Sequence, residues 1–252
     1  SRPTPPRADL AQRRYDRHAA RYDRNMGLME RLGLSRWRRL LWGQVRGPRV
    51  LELGVGTGAN FAHYPEGIEV VAVDISPQML ARAALRKQQD VTLRRAQGDI
   101  LSAPSFNKAS TGPSTGSGHR SARRLRTAPG VELALMDAEL LGLADASFDE
   151  VVTSCVFCSV ADPVAGLAEV RRVLRPGGRL LMLEHVRSHS PLGWLMDLAN
   201  PLATRLSGAN INRDTVGNLG RAGLEVVQVD NLLLDIVKLI QAEARAPERG
   251  MA

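Results

Sequence analysis

A glycine-rich turn constrains the fold of this chain more than any other sequence feature. Residues 50–60 read V-L-E-L-G-V-G-T-G-A-N, an apolar run that stops at a glycine cluster and is followed by polar residues typical of a helix start. Glycine allows the tight turn and lets the backbone approach a ligand closely. A second apolar run, residues 68–73, ends in Asp74, about where nucleotide-binding α/β units place the acid that holds ribose hydroxyls. The pattern predicts a doubly wound α/β fold with a ligand site at the strand ends.

The spacing of the glycines separates this loop from the dinucleotide-binding fingerprint. That fingerprint, G-x-G-x-x-G, needs a third glycine where this chain has Ala59, and the loop instead reads E-x-G-x-G-x-G from Glu52. In this it resembles the class I S-adenosylmethionine-dependent methyltransferases, whose first strand ends in this motif and whose second strand ends in an acid. The resemblance implies S-adenosylmethionine as the cofactor and a mostly parallel, seven-stranded, Rossmann-like sheet. The alternative is a turn that only joins a strand to a helix.

Two segments compete for the position of the third strand. Residues 91–99 and residues 131–137 both have strand-like patterns, and each segment ends in an aspartate. The second continues into M-D-A-E-L-L-G-L-A-D-A-S-F-D, which resembles the D-A-x-x-L-P-F-x-D-x-S-F-D segment of the family. We therefore predict the second segment as the strand, and the resemblance then assigns Asp137 to the adenine amine and Ala138 to the adenine edge. Asp99 is the alternative for the adenine contact.

The segment between these two candidates has the composition of a flexible linker. Residues 104–129 are rich in Ser, Thr, Gly, Pro and Arg. We predict a flexible, basic surface insertion that is dispensable for cofactor binding.

The remaining pattern predicts alternating helices and strands. Ser76 and Pro77 are typical of a helix start and predict a helix over residues 78–88. The sequence L-R-P-G-G at 174–178 resembles the turn that is frequent before a strand in this methyltransferase class. The further predicted strands are residues 148–154, 180–185, 224–229 and 234–240, and the further predicted helices are residues 163–173, 188–206 and 212–222.

An arginine-rich helical pattern precedes the glycine loop. Residues 9–42 have interrupted amphipathic spacing, and residues 15–23 read Y-D-R-H-A-A-R-Y-D. This motif resembles the Y-D-x-x-A-x-x-Y-D entry segment of quinone and phospholipid methyltransferases, which folds over the cofactor and forms part of the substrate pocket. We predict residues 1–45 as an N-terminal helical lid on a methyltransferase domain of residues 46–252. The alternative is a solvated basic helix packed by its tyrosines.

The family resemblance implies a set of cofactor contacts along these motifs. They begin in the lid, follow the glycine loop, and include the acids after the second and third strands and the residue after the fourth. The implied contacts are Tyr22, Glu52, Gly54, Gly56, Gly58, Asn60, Asp74, Ile75, Met79, Asp137, Ala138 and Cys155.

The expected chemistry needs few groups from the protein. A sulfonium methyl group is already activated, so direct displacement mainly requires alignment of the acceptor. His185, at the end of a predicted strand, is the candidate general base because its reference pKa lies near neutrality. Its alternative role is that of a structural histidine beside the core. Tyr22 is the candidate for orienting the acceptor.

Two branches of the methyltransferase class are similar to this chain. Residues 155–160, 184–186 and 208–210 resemble the branch that includes membrane-associated alkyl-thiol methyltransferases, whereas the N-terminal motif resembles quinone and phospholipid methyltransferases. Both resemblances imply a small lipophilic or amphiphilic acceptor, namely a phospholipid amine, a quinol or phenol, or a thiol. The alternatives are an RNA-associated methyltransferase and a non-catalytic adenosylmethionine-binding module.

The charge of the chain allows more than one kind of partner. A formal charge of +8 is compatible with nucleic acid, anionic lipid or a merely basic surface. Aromatic residues make up only 4% of the chain, and no N-P-P-Y-type motif follows Ser154, so nucleic acid is disfavoured as a partner. No apolar run reaches the roughly 18 residues that span a bilayer, and no signal-peptide segment is recognisable. We expect a cytoplasmic protein, with peripheral contact to an anionic membrane left open and the oligomeric state unknown.

Cys155 and Cys158, the only cysteines, form a C-x-x-C pair. A four-thiolate zinc site would need a second pair, which the chain lacks. A redox pair is the remaining alternative. We predict that both are small apolar wall residues and that the chain has no metal site.

Overall fold

A seven-stranded sheet forms the centre of the fold. The computed structural model describes residues 33–102, 130–188, 190–207 and 209–244, with scattered positions between residues 12 and 27. The strands are β1 (Arg49–Leu53), β2 (Glu69–Asp74), β3 (Gly130–Leu135), β4 (Phe148–Ser154), β5 (Leu174–His185), β6 (Leu224–Leu233) and β7 (Val237–Ala244). Their order is β3-β2-β1-β4-β5-β7-β6, with β1 to β5 paired in parallel and β7 antiparallel to both of its neighbours. The predicted doubly wound, mostly parallel fold is confirmed.

Helices connect the strands, and several of them begin at a side-chain cap. The helices are α1 (Ser35–Trp42), α2 (Pro77–Ser102), α3 (Pro163–Val173), α4 (Leu192–Ser207) and α5 (Thr215–Arg221), with a short 3₁₀ turn at Phe61–His63. The Ser76 hydroxyl accepts the Met79 N–H at 3.1 Å, and Asp162 accepts two backbone N–H groups at the start of α3. Each cap satisfies donors that a helix start leaves unpaired, as the sequence predicts.

The sheet is buried on both faces. One hydrophobic cluster contains Phe157, Leu167 and Leu219, and the other contains Trp42 and Phe61. The interior of β4 is buried at every position before its last residue. Continuous burial of this kind is typical of a parallel strand covered on both sides.

The strand order sets the position of the ligand crevice. The chain goes outward from β1 through β2 to β3, then returns to the other side of β1 as β4. Such a reversal leaves a crevice at the carboxyl ends of the two central strands. The glycine loop follows β1, and Ser154 and Cys155 end β4, so both segments border this crevice.

Several predicted boundaries were wrong. The helix α2 extends to Ser102 instead of ending at residue 88, so the rejected strand candidate at residues 91–99 is helical. The strand β5 begins at Leu174, so residues 174–178, which were predicted as a turn, belong to the strand. The place beside β2 belongs to β3, so the choice of the second segment is confirmed. Residues 234–236 form a turn, and the last strand begins at Val237 instead of residue 234.

Two predictions fall on residues outside the described part. The 104–129 insertion lies wholly outside it, and most of the predicted lid lies outside it as well. Among the described residues, no helix combines the length and the apolar character needed to cross a bilayer.

Candidate functional site

The glycine loop has the backbone geometry that its sequence predicts. Gly54, Gly56 and Gly58 have φ values of 73°, 57° and 79°, a region that side chains disfavour. A Cβ at Gly54 would overlap the Val156 side chain, whereas a Cβ at Gly56 would meet no atom of the described residues within 4 Å. Gly56 therefore faces open space, and Gly54 allows two chain segments to pack closely.

Asp74, the last residue of β2, closes the other side of this loop. Its Oδ2 accepts the Gly56 N–H at 2.8 Å, and its Oδ1 accepts the Ser76 N–H at 2.9 Å. Burial raises the pKa of Asp74, and these backbone donors oppose the rise. The carboxylate is thus fixed in one orientation at the cavity.

A cavity of about 760 Å³, including its open mouth, lies at these strand ends. Its walls come from the ends of β1, β2 and β4, the segment after β3 and the N-terminal segment. The lining residues are Tyr15, Leu53, Gly54, Gly56, Val73, Asp74, Ile75, Met79, Met136, Asp137, Ala138, Glu139, Ser154, Cys155, Val156, Ser159, Val160 and Ala161.

Asp137 lines the cavity, and one of its carboxylate oxygens has no hydrogen-bond partner among the described residues. Its Oδ1 accepts the Glu139 N–H at 3.0 Å, while its Oδ2 is buried with no hydrogen-bond partner among the described residues. Buried polar atoms in proteins are nearly always paired. A ligand N–H donor would satisfy this oxygen.

The charge of the lining favours a cationic ligand. Asp74, Asp137 and Glu139 contribute carboxylates, and the lining residues in the described part include no lysine or arginine. A pyrophosphate group would meet these acids without a neutralising side chain. A sulfonium ion would be attracted to them.

Glu52 and Asn60 lie outside the cavity lining and support the glycine loop. Glu52 is buried and accepts hydrogen bonds from Asn60 Nδ2 and from the Tyr64 hydroxyl. Arg38 donates to Asn60 Oδ1 at 2.8 Å and to the Ser154 hydroxyl at 3.2 Å. Burial raises the pKa of Glu52 to about 7, although its two donors oppose the rise. This network connects α1 to both sides of the crevice.

The N-terminal segment reaches the cavity through Tyr15 and Asp16, which the family resemblance did not include among the implied cofactor contacts. The Tyr15 hydroxyl lies 2.5 Å from the Ser159 hydroxyl, and Asp16 accepts a hydrogen bond of 2.5 Å from Ser76. Tyr15 and Asp16 begin the same Y-D-x-x-A-x-x-Y-D motif that directed attention to Tyr22. The first Tyr-Asp pair of the motif could therefore have indicated these contacts. Tyr22 itself lies outside the described residues.

The two cysteines and His185 differ in their relation to the cavity. Cys155 lines it, with a φ of 57°, while Cys158 is buried and does not line it. Burial raises the pKa of the Cys158 thiol well above its usual range. His185 is half-buried and also outside the lining, and burial lowers its pKa. His185, the predicted general base, therefore does not line the cavity.

The structure gathers most of the predicted cofactor residues into one cavity. Those that line it are Gly54, Gly56, Asp74, Ile75, Met79, Asp137, Ala138 and Cys155. Glu52, Gly58 and Asn60 lie behind the loop, where Gly58 packs against Phe61. The cavity also contains Ser154, Ser159 and Glu139, which the sequence-based site prediction did not include although the quoted motifs contain Ser159 and Glu139.

A family model described as a methyltransferase domain matches residues 51–180. This range is about half of the chain and extends from β1 into β5. The chain belongs to the methyltransferase-domain family. S-adenosylmethionine is the cofactor of this family and fold, and the cavity fits it. The unpaired Asp137 Oδ2 suits the adenine amine, and the three lining carboxylates suit a sulfonium cation.

Named relatives and a solved structure extend this assignment. The chain is 35% identical over 156 residues to human thiol S-methyltransferase TMT1B, covering 59% of this chain and 50% of the relative. It is 28% identical over 213 residues to demethylmenaquinone methyltransferase of Renibacterium salmoninarum, covering 83% of this chain and 72% of the relative. The chain thus spans about half the length of the thiol methyltransferases it matches.

A solved S-adenosylmethionine-dependent methyltransferase from Thermotoga maritima shares the fold. Its TM-score is 0.62 at 20% sequence identity, and the match covers 93% of this chain and all of that one, 100%. This likeness establishes the architecture of the methyltransferase domain.

Proposed function

We propose that this methyltransferase transfers the methyl group of S-adenosylmethionine to a small lipophilic or amphiphilic acceptor. The observation that carries the proposal is the pair of acids at one cavity. Asp74 is held by the glycine loop, and Asp137 offers a buried, unpaired oxygen. In the proposal, Asp74 binds the ribose hydroxyls and Asp137 binds the adenine amine.

The protein's own part in the reaction is alignment and exclusion of water. When bound, S-adenosylmethionine supplies a methyl group on a sulfonium sulfur, which is activated toward displacement. Gly56 leaves room for the backbone to contact the cofactor, and Met79 contributes an apolar wall. Fixed placement of two reactants is itself a large source of rate acceleration.

We further propose that the acceptor enters beside Tyr15 and Ser159. These hydroxyls lie together at the cavity, next to the apolar side chains of Val156 and Val160. A polar pair on an apolar wall suits an amphiphilic molecule with one polar end. His185 is outside the lining, so in this proposal the two hydroxyls orient the acceptor and His185 does not touch it.

The outer face of α4 supports a lipophilic acceptor taken from a membrane surface. Trp194 and Leu198 are 69% and 67% exposed, and Leu195 and Leu202 are exposed beside them. Such residues on one helix face are typical of an interfacial surface. Peripheral contact with an anionic bilayer would bring the acceptor to the cavity, and the net charge of +8 favours it.

The proposal is tested with methyl-labelled S-adenosylmethionine and a panel of acceptors. The panel contains a hydrophobic thiol, a quinol, a phenol, a phospholipid amine and an RNA oligonucleotide. We expect label in at least one lipophilic acceptor, loss of that label with Asp74→Ala, and none in RNA. Label confined to RNA would contradict the acceptor class. Cofactor binding without transfer to any acceptor would favour a non-catalytic binding module.

A further inference from the structure

Three side chains converge behind the cavity wall, at the carboxyl ends of β4 and β5. Ser154 pairs with Leu183 in these parallel strands, so the loop after β4 meets the last residues of β5. One ligand-type atom from each of Cys158, Glu184 and His185 lies within 4.8 Å of the other two. No role in binding S-adenosylmethionine involves these atoms, because none of the three residues lines the cavity.

In Glu184 and in His185, one polar side-chain atom has a hydrogen-bond partner and the other has none among the described residues. Glu184 is 0% exposed, and its Oε1 accepts the N–H groups of Val156 and Phe157 at 2.8 and 3.1 Å. Its Oε2 is buried with no partner among the described residues. His185 is hydrogen-bonded to the Asn210 backbone, and its Nε2 is likewise buried with no described partner.

Side chains that bind metals commonly have one hydrogen-bonded atom and one atom that faces the ion. Outer hydrogen bonds fix the orientation of a ligating carboxylate or imidazole and leave the other atom toward the ion. Two buried acceptors side by side, both unpaired, are otherwise unfavourable. The two backbone donors to Glu184 and the backbone contact of His185 are such outer hydrogen bonds.

We propose that Cys158, Glu184 and His185 bind a divalent transition-metal ion of the zinc type. Thiolate sulfur, imidazole nitrogen and carboxylate oxygen are the donors that Zn²⁺ uses, at roughly 2.0–2.3 Å. The thiolate and the carboxylate balance the double charge of the ion. The neighbouring Arg213, which donates to the Val160 carbonyl at 2.8 Å, therefore faces no net positive site.

The ion would stabilise the loop after β4, which lines the cavity beside the proposed acceptor site. Glu184 holds the N–H of Val156, Cys158 lies in the same loop, and Val156 and Val160 line the cavity. Coordination would fasten this loop to the end of β5, with water in the fourth position as in other three-ligand zinc sites. The sequence prediction of no metal site considered only a second cysteine pair, whereas strand pairing supplies these ligands.

The test is a titration of the reduced full chain with Co²⁺, a spectroscopic substitute for Zn²⁺. We expect a thiolate-to-cobalt charge-transfer band that saturates at one equivalent and disappears when Zn²⁺ is added. Cys158→Ser should abolish the band, and Cys155→Ser, the matched control three residues away, should retain it. Zn²⁺ should also raise the Tm of the wild-type chain, and a chelator should reverse the rise.

Each outcome decides the proposal independently of catalysis. Absence of both the cobalt band and the Tm shift in the wild-type chain would overturn it, even if Cys158→Ser failed to fold. A band that survives in folded Cys158→Ser would also overturn it, because the metal would then be elsewhere. His185→Ala, at a half-buried position, provides a second variant that should weaken the band.

Discussion

Asp137→Asn tests the proposed adenine contact most sharply, because only one of the two oxygens of this carboxylate has a hydrogen-bond partner among the described residues. Oδ1 accepts the Glu139 N–H at 3.0 Å, and Oδ2 is buried and unpaired at the cavity. An asparagine offers one acceptor and one NH₂ donor. It can therefore satisfy Glu139 or the adenine amine, but its amide would face an N–H group at the other position.

The expected loss follows from one charge-assisted hydrogen bond. Such a bond contributes about 1.5–3 kcal/mol. At about 1.4 kcal/mol per tenfold change, the Kd for adenosylmethionine should rise roughly 10-fold to 150-fold. Calorimetric titration measures this change, and thermal unfolding checks that the variant is folded.

A ligand change and a matched variant complete the experiment. The inosine analogue of adenosylhomocysteine, in which a carbonyl replaces the 6-amino group, should bind wild-type protein more weakly than adenosylhomocysteine does. Asp137→Asn should show little or no preference between the two ligands. Asp99→Asn is the control, since residue 99 lies in α2 and outside the sheet, and it should bind like wild type. An unchanged Kd in folded Asp137→Asn, or a larger effect from Asp99→Asn, would refute the assignment.

Three further predictions concern the loop, the buried acid and the insertion. Gly56→Ala should fold with a modest loss, about 1 kcal/mol from its positive φ, but bind the cofactor poorly. Gly54→Ala should lower the Tm more, because its Cβ overlaps Val156; equal Tm values in the two variants would contradict this difference. Burial raises the pKa of Glu52 from 4.5 to about 7, so its contribution to stability is full below pH 4.5 and declines as pH rises through about 7. In the wild-type chain, the free energy of unfolding measured with urea should fall by about 3 kcal/mol between about pH 5 and pH 8, and Glu52→Gln should remove this fall. If the pH dependence is the same in both proteins, Glu52 stays ionised in the folded chain. Replacing residues 105–128 with about 12 Gly-Ser residues, which span roughly 20 Å, should leave cofactor affinity unchanged in calorimetry, and loss of binding in a folded variant would contradict dispensability.

Local motifs made the centre of the site predictable. The glycine loop, Asp74 and the D-A segment at Asp137 each consist of a few adjacent residues whose backbone requirement is visible in the sequence. The third strand was predicted correctly because its candidate runs directly into β4. Residues that need only their immediate neighbours can be recognised without the fold.

Features that depend on strand pairing could not be predicted. Residues 91–99 alternate like a strand, but β3 occupies the place beside β2, so their backbone groups pair within α2 instead. Tyr15 and Ser159 are 144 positions apart, and Cys158 meets Glu184 only because β4 and β5 are neighbours. The sequence contains these residues but does not show that they are in contact.

The central claim is that this cavity is built for a sulfonium cofactor and not for a phosphate-rich one. Its lining includes three carboxylates and, among the described residues, no lysine or arginine. The most direct measurement is calorimetric titration of the purified chain with S-adenosylmethionine and, separately, with NAD⁺. We predict saturable binding of one S-adenosylmethionine per chain, weakened by Asp74→Ala, and no detectable binding of NAD⁺. NAD⁺ binding as tight as that of S-adenosylmethionine, or no binding of S-adenosylmethionine by folded protein, would contradict the account.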